Sequence, residues 1–233
     1  MTAPLIRDLN GIAEFRQAEA LQRAVWGADD KEDPADLMMV IQHEGGLVAG
    51  AFIEDALVGY VFGFPTRELT VQHSHRLAVL GSARGLGLGA RLKWHQRDWC
   101  LERGITQVRW TFDPLRHPNA NLNIHRLGAH AVKYFPDFYG ALQGINKGAP
   151  SDRLLAEWDL EAPGVTARAA GRLPVPAIGT RITIPIDFDQ MLVRDPKLAT
   201  SERLRLRQQF LDRLGAGLVI HDYDATARAY VLQ

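Results

Sequence analysis

His73-Ser74-His75-Arg76-Leu77-Ala78-Val79-Leu80-Gly81-Ser82-Ala83-Arg84-Gly85-Leu86-Gly87-Leu88-Gly89-Ala90 is the stretch on which the fold turns. It begins inside an apolar run, Leu69–Leu80, where Val71, His73, His75, Leu77 and Val79 share one face by the two-residue alternation of a strand. It ends in a helix expected from about Leu88 to Arg103, with Leu88, Leu92, His95 and Trp99 as inner stripe and Gly104 as stop. A strand, a glycine-rich turn and a helix in that order make an anion site. Glycine lets the backbone turn tightly, and the first N–H groups of the helix have no partner within it. Arg84 adds a charged contact to phosphate. The spacing is Gly-x-Gly-x-Gly, whereas dinucleotide folds use Gly-x-Gly-x-x-Gly, and no Lys-Ser/Thr pair completes a P-loop. By themselves these glycines suit a tight loop beneath a helix equally well.

Outward from this centre the pattern is regular. Upstream, Pro4–Asp8 predicts a short strand, and Ile12, Phe15, Leu21, Val25 and Trp26 fall roughly on one helical face. Residues 27–36 are acidic and contain Pro34, which predicts a loop into a second helix near Leu37–His43. Leu47–Ile53 and Ala56–Phe64, separated only by Glu54-Asp55, predict a β-hairpin. Downstream, Ile105–Asp113 alternates as a strand, Pro118 and Asn119 open a short helix through Leu127, and strands are expected at Ala129–Phe135 and Leu154–Leu160. Pro, Gly and Ala from Glu161 to Ile178 predict a linker or extended crossing segment. The remainder reads as strand (Arg181–Ile186), helix (Ser201–Leu214) and two strands (Leu218–Asp222 and Arg228–Leu232).

Composition removes several function classes. Lys plus Arg equals Asp plus Glu at 27 each, so the basic surplus of a nucleic-acid binder is missing and no nucleic-acid partner is expected. Cys100 is the only cysteine, which excludes an internal disulfide and a cysteine-based zinc site. It lies within the helical pattern and is expected to be a buried structural thiol. The first residues lack the basic and apolar blocks of a secretory signal, and no apolar run approaches the ~20 residues that cross a bilayer. A cytoplasmic protein with no membrane association is the expectation.

Arg84-Gly85-Leu86-Gly87-Leu88-Gly89 has the form Arg/Gln-x-x-Gly-x-Gly/Ala and resembles the acyl-CoA loop of the GNAT acetyltransferase superfamily. The strand ending Leu77-Ala78-Val79, the helix with Leu92-Lys93, the strand Val108–Phe112 and the segment Asn119-Ala120…Leu127-Gly128-Ala129 resemble that family's core. So does the order of elements over residues 4–160. The resemblance implies an α+β fold in three layers, with a mixed, mostly antiparallel sheet flanked by helices. The resemblance marks out a catalytic domain (1–160), and the Pro-, Gly- and Ala-rich composition after it gives a linker (161–180) before a C-terminal α/β extension (181–233). It also implies acetyl-CoA or another acyl-CoA as co-substrate, with no metal, and a small-molecule or peptide amine as acceptor. The backbone of Arg84, Gly85, Leu86, Gly87, Leu88, Gly89 and Ala90 would hold the pyrophosphate. Ala78, Val79 and Leu80 would pair with the pantetheine arm as an added strand does, and an N–H near Val79 would polarise the thioester carbonyl. Asn123 would reach pantetheine amides or substrate.

The proton chemistry has its own requirements. An alkyl amine with pKa about 10.4 is neutral in roughly one molecule in a thousand near pH 7, a handicap of about 4 kcal/mol that a positioned base or water relay removes. An imidazole ordinarily titrates in the right range, and His73-x-His75-x-Leu77-Ala78-Val79 resembles the paired strand histidines of arylalkylamine N-acetyltransferases, which implies a base role for both. Packing of one ring on the sheet and the other on a helix would account for them equally. Family members often place a Tyr where this chain has Ile124, so the proton for the leaving thiolate is assigned to Tyr139, with Tyr134 as substitute. Trp110, Phe112 and Tyr139 would touch the acceptor. The competing expectation is a non-catalytic acyl-CoA-binding or sensing protein of the same fold, suggested by Ile124. A nucleotide enzyme with a parallel sheet is disfavoured by the hairpin at 47–64.

The C-terminal helix carries Arg203, Arg205, Arg207 and Arg213, expected as a solvated face opposite Leu204, Phe210, Leu211 and Leu214. The extension is expected to widen the sheet, cover the site or mediate a homodimer. His117 and His125 find no partner in the sequence pattern.

Overall fold

A computed structural model of the chain describes residues 3–27, 30–140, 150–172 and 178–233. These form two units, Met1–Val108 and Arg109–Gln233. In the first, β1 (Leu5–Asp8), β2 (Leu47–Ile53), β3 (Ala56–Pro65) and β4 (Val71–Val79) pair antiparallel in chain order. Six of the seven residues of β2 are buried, the pattern of a strand covered on both faces. The covers are helices. Phe15, Ala18 and Leu21 of α1 (Gly11–Trp26) and Met38 of α2 (Ala35–His43) pack with Val48, Phe52, Tyr60, Phe62 and Ala78 in one core. On the opposite face α3 (Leu88–Leu101) buries Leu88 and Leu92. Gly59 permits that approach, since a Cβ there would stand 3.0 Å from the Ala78 carbonyl oxygen and 3.3 Å from Leu92 Cδ1. The result is helix, sheet and helix in three layers.

The strand β5 (Gln107–Phe112) runs across the boundary between the units. The second unit also holds β6 (His130–Phe135), β7 (Arg153–Asp159), β8 (Thr180–Thr183), β9 (Ile220–Asp224) and β10 (Ala229–Leu232), in the lateral order β5-β7-β6-β9-β10-β8. The β6/β7, β6/β9, β9/β10 and β10/β8 pairs are antiparallel. Its helices are α4 (His117–Ala120), followed by a π-helical turn at Asn121–Arg126, then α5 (Pro163–Ala169), α6 (Phe188–Arg194) and α7 (Pro196–Gly215). The fold is therefore mixed α+β with a mostly antiparallel arrangement of strands.

Three expectations for the C-terminal third change. The stretch read as a linker contains α5, whose Val165 is buried and whose Arg168 Nε donates to the His125 carbonyl at 2.8 Å; residues 173–177 lie outside the described residues. The strand expected at 181–186 is the shorter β8, and α6 was not foreseen: Asp187 caps it by accepting the Gln190 N–H, as Asp195 caps α7 through Leu198. The largest change is the face of α7. Ala199, Arg203, Leu206 and Phe210 point inward, while Leu204 and Leu211 are exposed. Arg203 is buried because it has a partner. Its guanidinium makes a two-pronged bond to Asp113 at 3.1 and 2.8 Å and lies over the Phe188 ring. Arg207 grips Asp152 in the same way at 3.0 and 2.7 Å. Hydropathy assigned these arginines outward; buried carboxylates reverse the assignment.

Candidate active site

The strand that leads into the glycine loop is irregular. In the β3/β4 ladder Phe62 lies opposite Arg76 and Gly63 opposite Ser74, so His75 is an extra residue on β4, a β-bulge. A bulge turns two successive side chains to one side. His75 and Arg76 accordingly both reach the loop between α1 and α2. His75 Nε2 stands 3.2 Å from Asp33 Oδ1, Arg76 Nε 2.9 Å from Asp33 Oδ2, and Arg76 Nη1 2.8 Å from Asp30 Oδ2. Arg76 lies over the Trp26 ring at 4.8 Å. Burial works against its charge, but the bond to Asp30 and the field of Asp33 outweigh burial and raise its pKa.

His73 stacks on Phe64 with ring centroids 4.9 Å apart, and His75 meets Phe62 edge-on at 5.5 Å. The two imidazoles lie 6.2 Å apart, so the alternation read from the sequence does bring them to one face. The other face of β4 holds what sequence reading missed. Lys93 is buried and donates to Ser74 Oγ at 3.0 Å and Gln96 Oε1 at 2.7 Å; Gln96 donates to Gln72 Oε1 at 2.6 Å. Gly63 makes room, since a Cβ there would lie 2.7 Å from Gln72 Oε1. Burial lowers the Lys93 pKa to about 7 and raises that of Cys100 to about 12, which makes Cys100 a structural thiol.

The end of β4 offers its backbone selectively. The Leu80 N–H donates to the Val58 carbonyl at 2.8 Å. Ladder alternation then turns the main-chain groups of Ala78 toward β3 and those of Val79 away from it. Of these three residues, Val79 is the one whose N–H points to the other side. Beyond a short 3₁₀ turn at Gly81–Ala83, Gly85 and Gly87 take the left-handed conformation, with φ of 87° and 69°. The demand is conformational, because a Cβ at either would meet nothing within 4 Å. Gly87 is the N-cap of α3 and has no side chain with which to cap it. The Arg91 N–H donates to the Gly87 carbonyl at 3.1 Å, so the N–H groups of Leu88, Gly89 and Ala90 precede the first intrahelical donor. Arg84, Gly85, Leu86 and Gly87 are exposed around them.

Asn123 and Tyr139 belong to the second unit. Asn123 is largely buried in the π-helical turn, an irregularity often found at functional sites. Ile124, beside it, is fully buried. Tyr139 is 56% exposed, with its hydroxyl 3.1 Å from Thr111 Oγ1 and Arg153 over its ring. Tyr134 differs: its hydroxyl donates to Asp152 at 2.6 Å, and burial with that bond raises its pKa. Trp110 and Phe112, expected against the acceptor, are buried, with Trp110 packed edge-on to Trp158 at 6.0 Å. His117 and His125 both face β9. His117 Nδ1 lies 2.8 Å from the Tyr223 hydroxyl, and His125 Nδ1 3.6 Å from Asp222 Oδ1. Among the described residues no three His, Cys, Asp or Glu side chains group as a metal site. Among these same residues no helix is long and apolar enough to cross a membrane. A groove of about 820 Å³ between β8, α6 and α7 is lined by Ile184, Met191, Arg194 and Leu198 among others and includes none of the candidate site residues.

The model of the acetyltransferase (GNAT) family matches residues 12–128, just over half of the chain. The chain belongs to the GNAT acetyltransferase family. Its fold is similar to that of the ribosomal-protein-S18-alanine N-acetyltransferase from Escherichia coli (TM-score 0.57, 15% identity, 70% of this chain and 97% of that one). It is similar also to aminoglycoside 6'-acetyltransferase type Ii (0.55, 21%, 68% and 98%). A third is a Salmonella typhimurium protein assigned as an acetyltransferase and solved with its cofactor acetyl-CoA (0.56, 17%, 69% and 96%). Comparison with curated proteins gave no match.

Proposed function

We propose that this chain is an N-acyltransferase that moves an acyl group, most simply acetyl, from coenzyme A to an amine by direct attack. The observation that carries the reading is the left-handed Gly85–Gly87 turn. It aims the first N–H groups of α3 outward directly after β4, in a chain of the GNAT family. That cradle, with Arg84 beside it, fits a diphosphate. The solved Salmonella relative with acetyl-CoA supports the same co-substrate, which supplies an activated thioester.

The chain's residues then have separate jobs. The N–H groups from Leu86 to Ala90, with Arg84, hold the pyrophosphate. The Val79 N–H, turned away from β3, donates to the thioester carbonyl oxygen, where negative charge grows; such a donor contributes roughly 10²–10³ in rate. His75, with His73 through an intervening water, takes the proton that the attacking neutral amine nitrogen sheds as the N–C bond forms. The Tyr139 hydroxyl donates to the departing thiolate as the C–S bond breaks. The acceptors named for two similar structures, a ribosomal-protein alanine and an aminoglycoside, define the classes to try first.

The test is thiol release from acetyl-CoA with 2-phenylethylamine, spermidine, kanamycin and an alanine-starting peptide, beside calorimetry of acetyl-CoA binding. Binding together with turnover of at least one amine is expected. Gly87→Trp should abolish binding, and Arg84→Ala should weaken it several-fold while leaving the fold intact. Absence of any acetyl-CoA binding by the unmodified protein would sink the proposal; binding without turnover would make the chain a sensor.

A further inference from the structure

We infer that Asp33 is a positioning residue for His75: it holds the imidazole as the Nε2–H tautomer, so that Nδ1 presents the lone pair that removes the acceptor's proton. This rests on the acyl-transfer reading above and adds to it the residue that sets the base. The geometry starts from the bulge. As the extra residue of β4, His75 is turned toward the α1–α2 loop, where its Nε2 stands 3.2 Å from Asp33 Oδ1. An ionised carboxylate only accepts, so the imidazole nitrogen facing it carries the hydrogen and the other is left as acceptor.

Asp33 is itself held, its main chain and the residues after it by α1 and its carboxylate by Arg76, which separates it from a chance surface pair. Gln22 of α1, buried to 1% exposure, brackets the Asp33 peptide: its Oε1 accepts the Asp33 N–H at 2.8 Å and its Nε2 donates to the Asp33 carbonyl at 3.2 Å. Two residues on, the Ala35 N–H is held by Glu19 at 2.9 Å. Arg76, adjacent to His75 on the bulge, forms an ion pair with the second carboxylate oxygen at 2.9 Å, without hydrogen-bond geometry. Orientation of this kind matters because a base misplaced by a fraction of an ångström loses much of its advantage. Arg76 also sets a positive charge against the Asp33 carboxylate. The proton therefore passes from the amine nitrogen to His75 Nδ1, the imidazolium keeps its Nε2–H against Asp33, and the carboxylate never takes it. Because His75 is partly exposed, the proton leaves to solvent.

The loop's acidic run was visible in the sequence only as a loop. What assigns it a role is the bulge, which no alternation rule foresees.

The test combines a spectrum with a kinetic cycle. Imidazole 15N shifts of the uniformly labelled protein at about pH 9, with His75 assigned through His75→Gln, report the tautomer of the neutral ring. The unmodified protein should show His75 as Nε2–H, and Asp33→Asn should shift it toward a mixture. With the best amine of the panel above, Asp33→Asn should lower kcat at least ~10-fold and leave the KM for acetyl-CoA within about two-fold. Adding Asp33→Asn to His75→Gln should change nothing further, since Asp33 acts through that ring. A tautomer unaffected by Asp33→Asn, or a double variant losing the product of both effects, overturns the inference in favour of a loop anchor. Turnover absent for every amine sinks the acyl-transfer reading and the catalytic half of this inference with it, while the spectrum still decides the pairing.

Discussion

Alternation on the strand before the glycine loop, together with the resemblance to arylalkylamine N-acetyltransferases, points to His73 and His75, and their rings do share a face. Their surroundings were not legible, because Phe62 and Phe64 reach them from a neighbouring strand and Asp33 from a loop 42 residues away in sequence. Replacing both by glutamine should leave acetyl-CoA binding unchanged and cut kcat by ~10²-fold, the lower range for a positioned base. Equal rates for this double variant and the unmodified enzyme from pH 6 to 9 would remove both from the mechanism. For the tyrosines, burial decides what position could not. Tyr134 is tied to Asp152 behind Phe210, whereas Tyr139 is exposed, with its hydroxyl beside Thr111 Oγ1. Tyr139→Phe should therefore reduce kcat with little change in stability. Tyr134→Phe should cost about 1–2 kcal/mol of folding free energy and leave turnover per folded molecule intact. The opposite pattern would exchange their roles.

The element most of the site depends on, β4 with its following turn and α3, was also the most legible. Alternation, glycine punctuation and helical period agree there, and the observed bounds of β2 coincide with the expected run at 47–53. What stayed hidden is the underside. Helical period placed Leu88, Leu92 and Trp99 inside correctly but also His95, which instead faces Asp8 at the surface, while Lys93 takes an interior position. A lysine is rarely buried unless paired, so no sequence rule would place it beneath a sheet. Its stability signature is specific. The folded pKa near 7 lies below the unfolded value near 10.5, so between these limits the unfolded chain binds more protons and folding stability rises with pH. Below about pH 7 both states are protonated and the full penalty, on the order of a few kcal/mol, is present. Guanidinium midpoints at pH 7 and pH 10 should thus climb for the unmodified protein relative to Lys93→Met. Parallel midpoints for the two proteins would show that Lys93 is charged in the fold or solvated.

For the chain as a whole, the question is whether residues 181–233 are an appendage, as their position behind a Pro- and Gly-rich stretch suggests. Their contacts within the second unit argue otherwise. β9 joins β6 at Ala131 and Ile220, Tyr230 donates to the Pro114 carbonyl at 2.8 Å, and His117 meets Tyr223. Arg203 and Arg207 of α7 neutralise Asp113 and Asp152, both deeply placed. Burial alone would raise the Asp113 pKa, yet Arg203 and Arg116 bring it below the ordinary value, so this pair stabilises the fold above the usual carboxylate range and loses that contribution as the pH falls through the folded pKa. Removing one partner leaves a charge buried alone, a cost of about 3–5 kcal/mol. Cutting the chain after residue 178 removes both arginines, three strands and a 20-residue helix at once. The loss is comparable to the whole stability of a typical domain, about 5–15 kcal/mol. The fragment 1–178 should therefore show no cooperative melt in the region of β5–β7 and should expose amides there to rapid hydrogen exchange. Asp113→Asn in the full chain should reproduce a part of that loss, with a smaller shift at acid pH than at neutral pH. A fragment that melts cooperatively with native protection at Leu154, Ala156 and Trp158 would restore the reading of a separable extension.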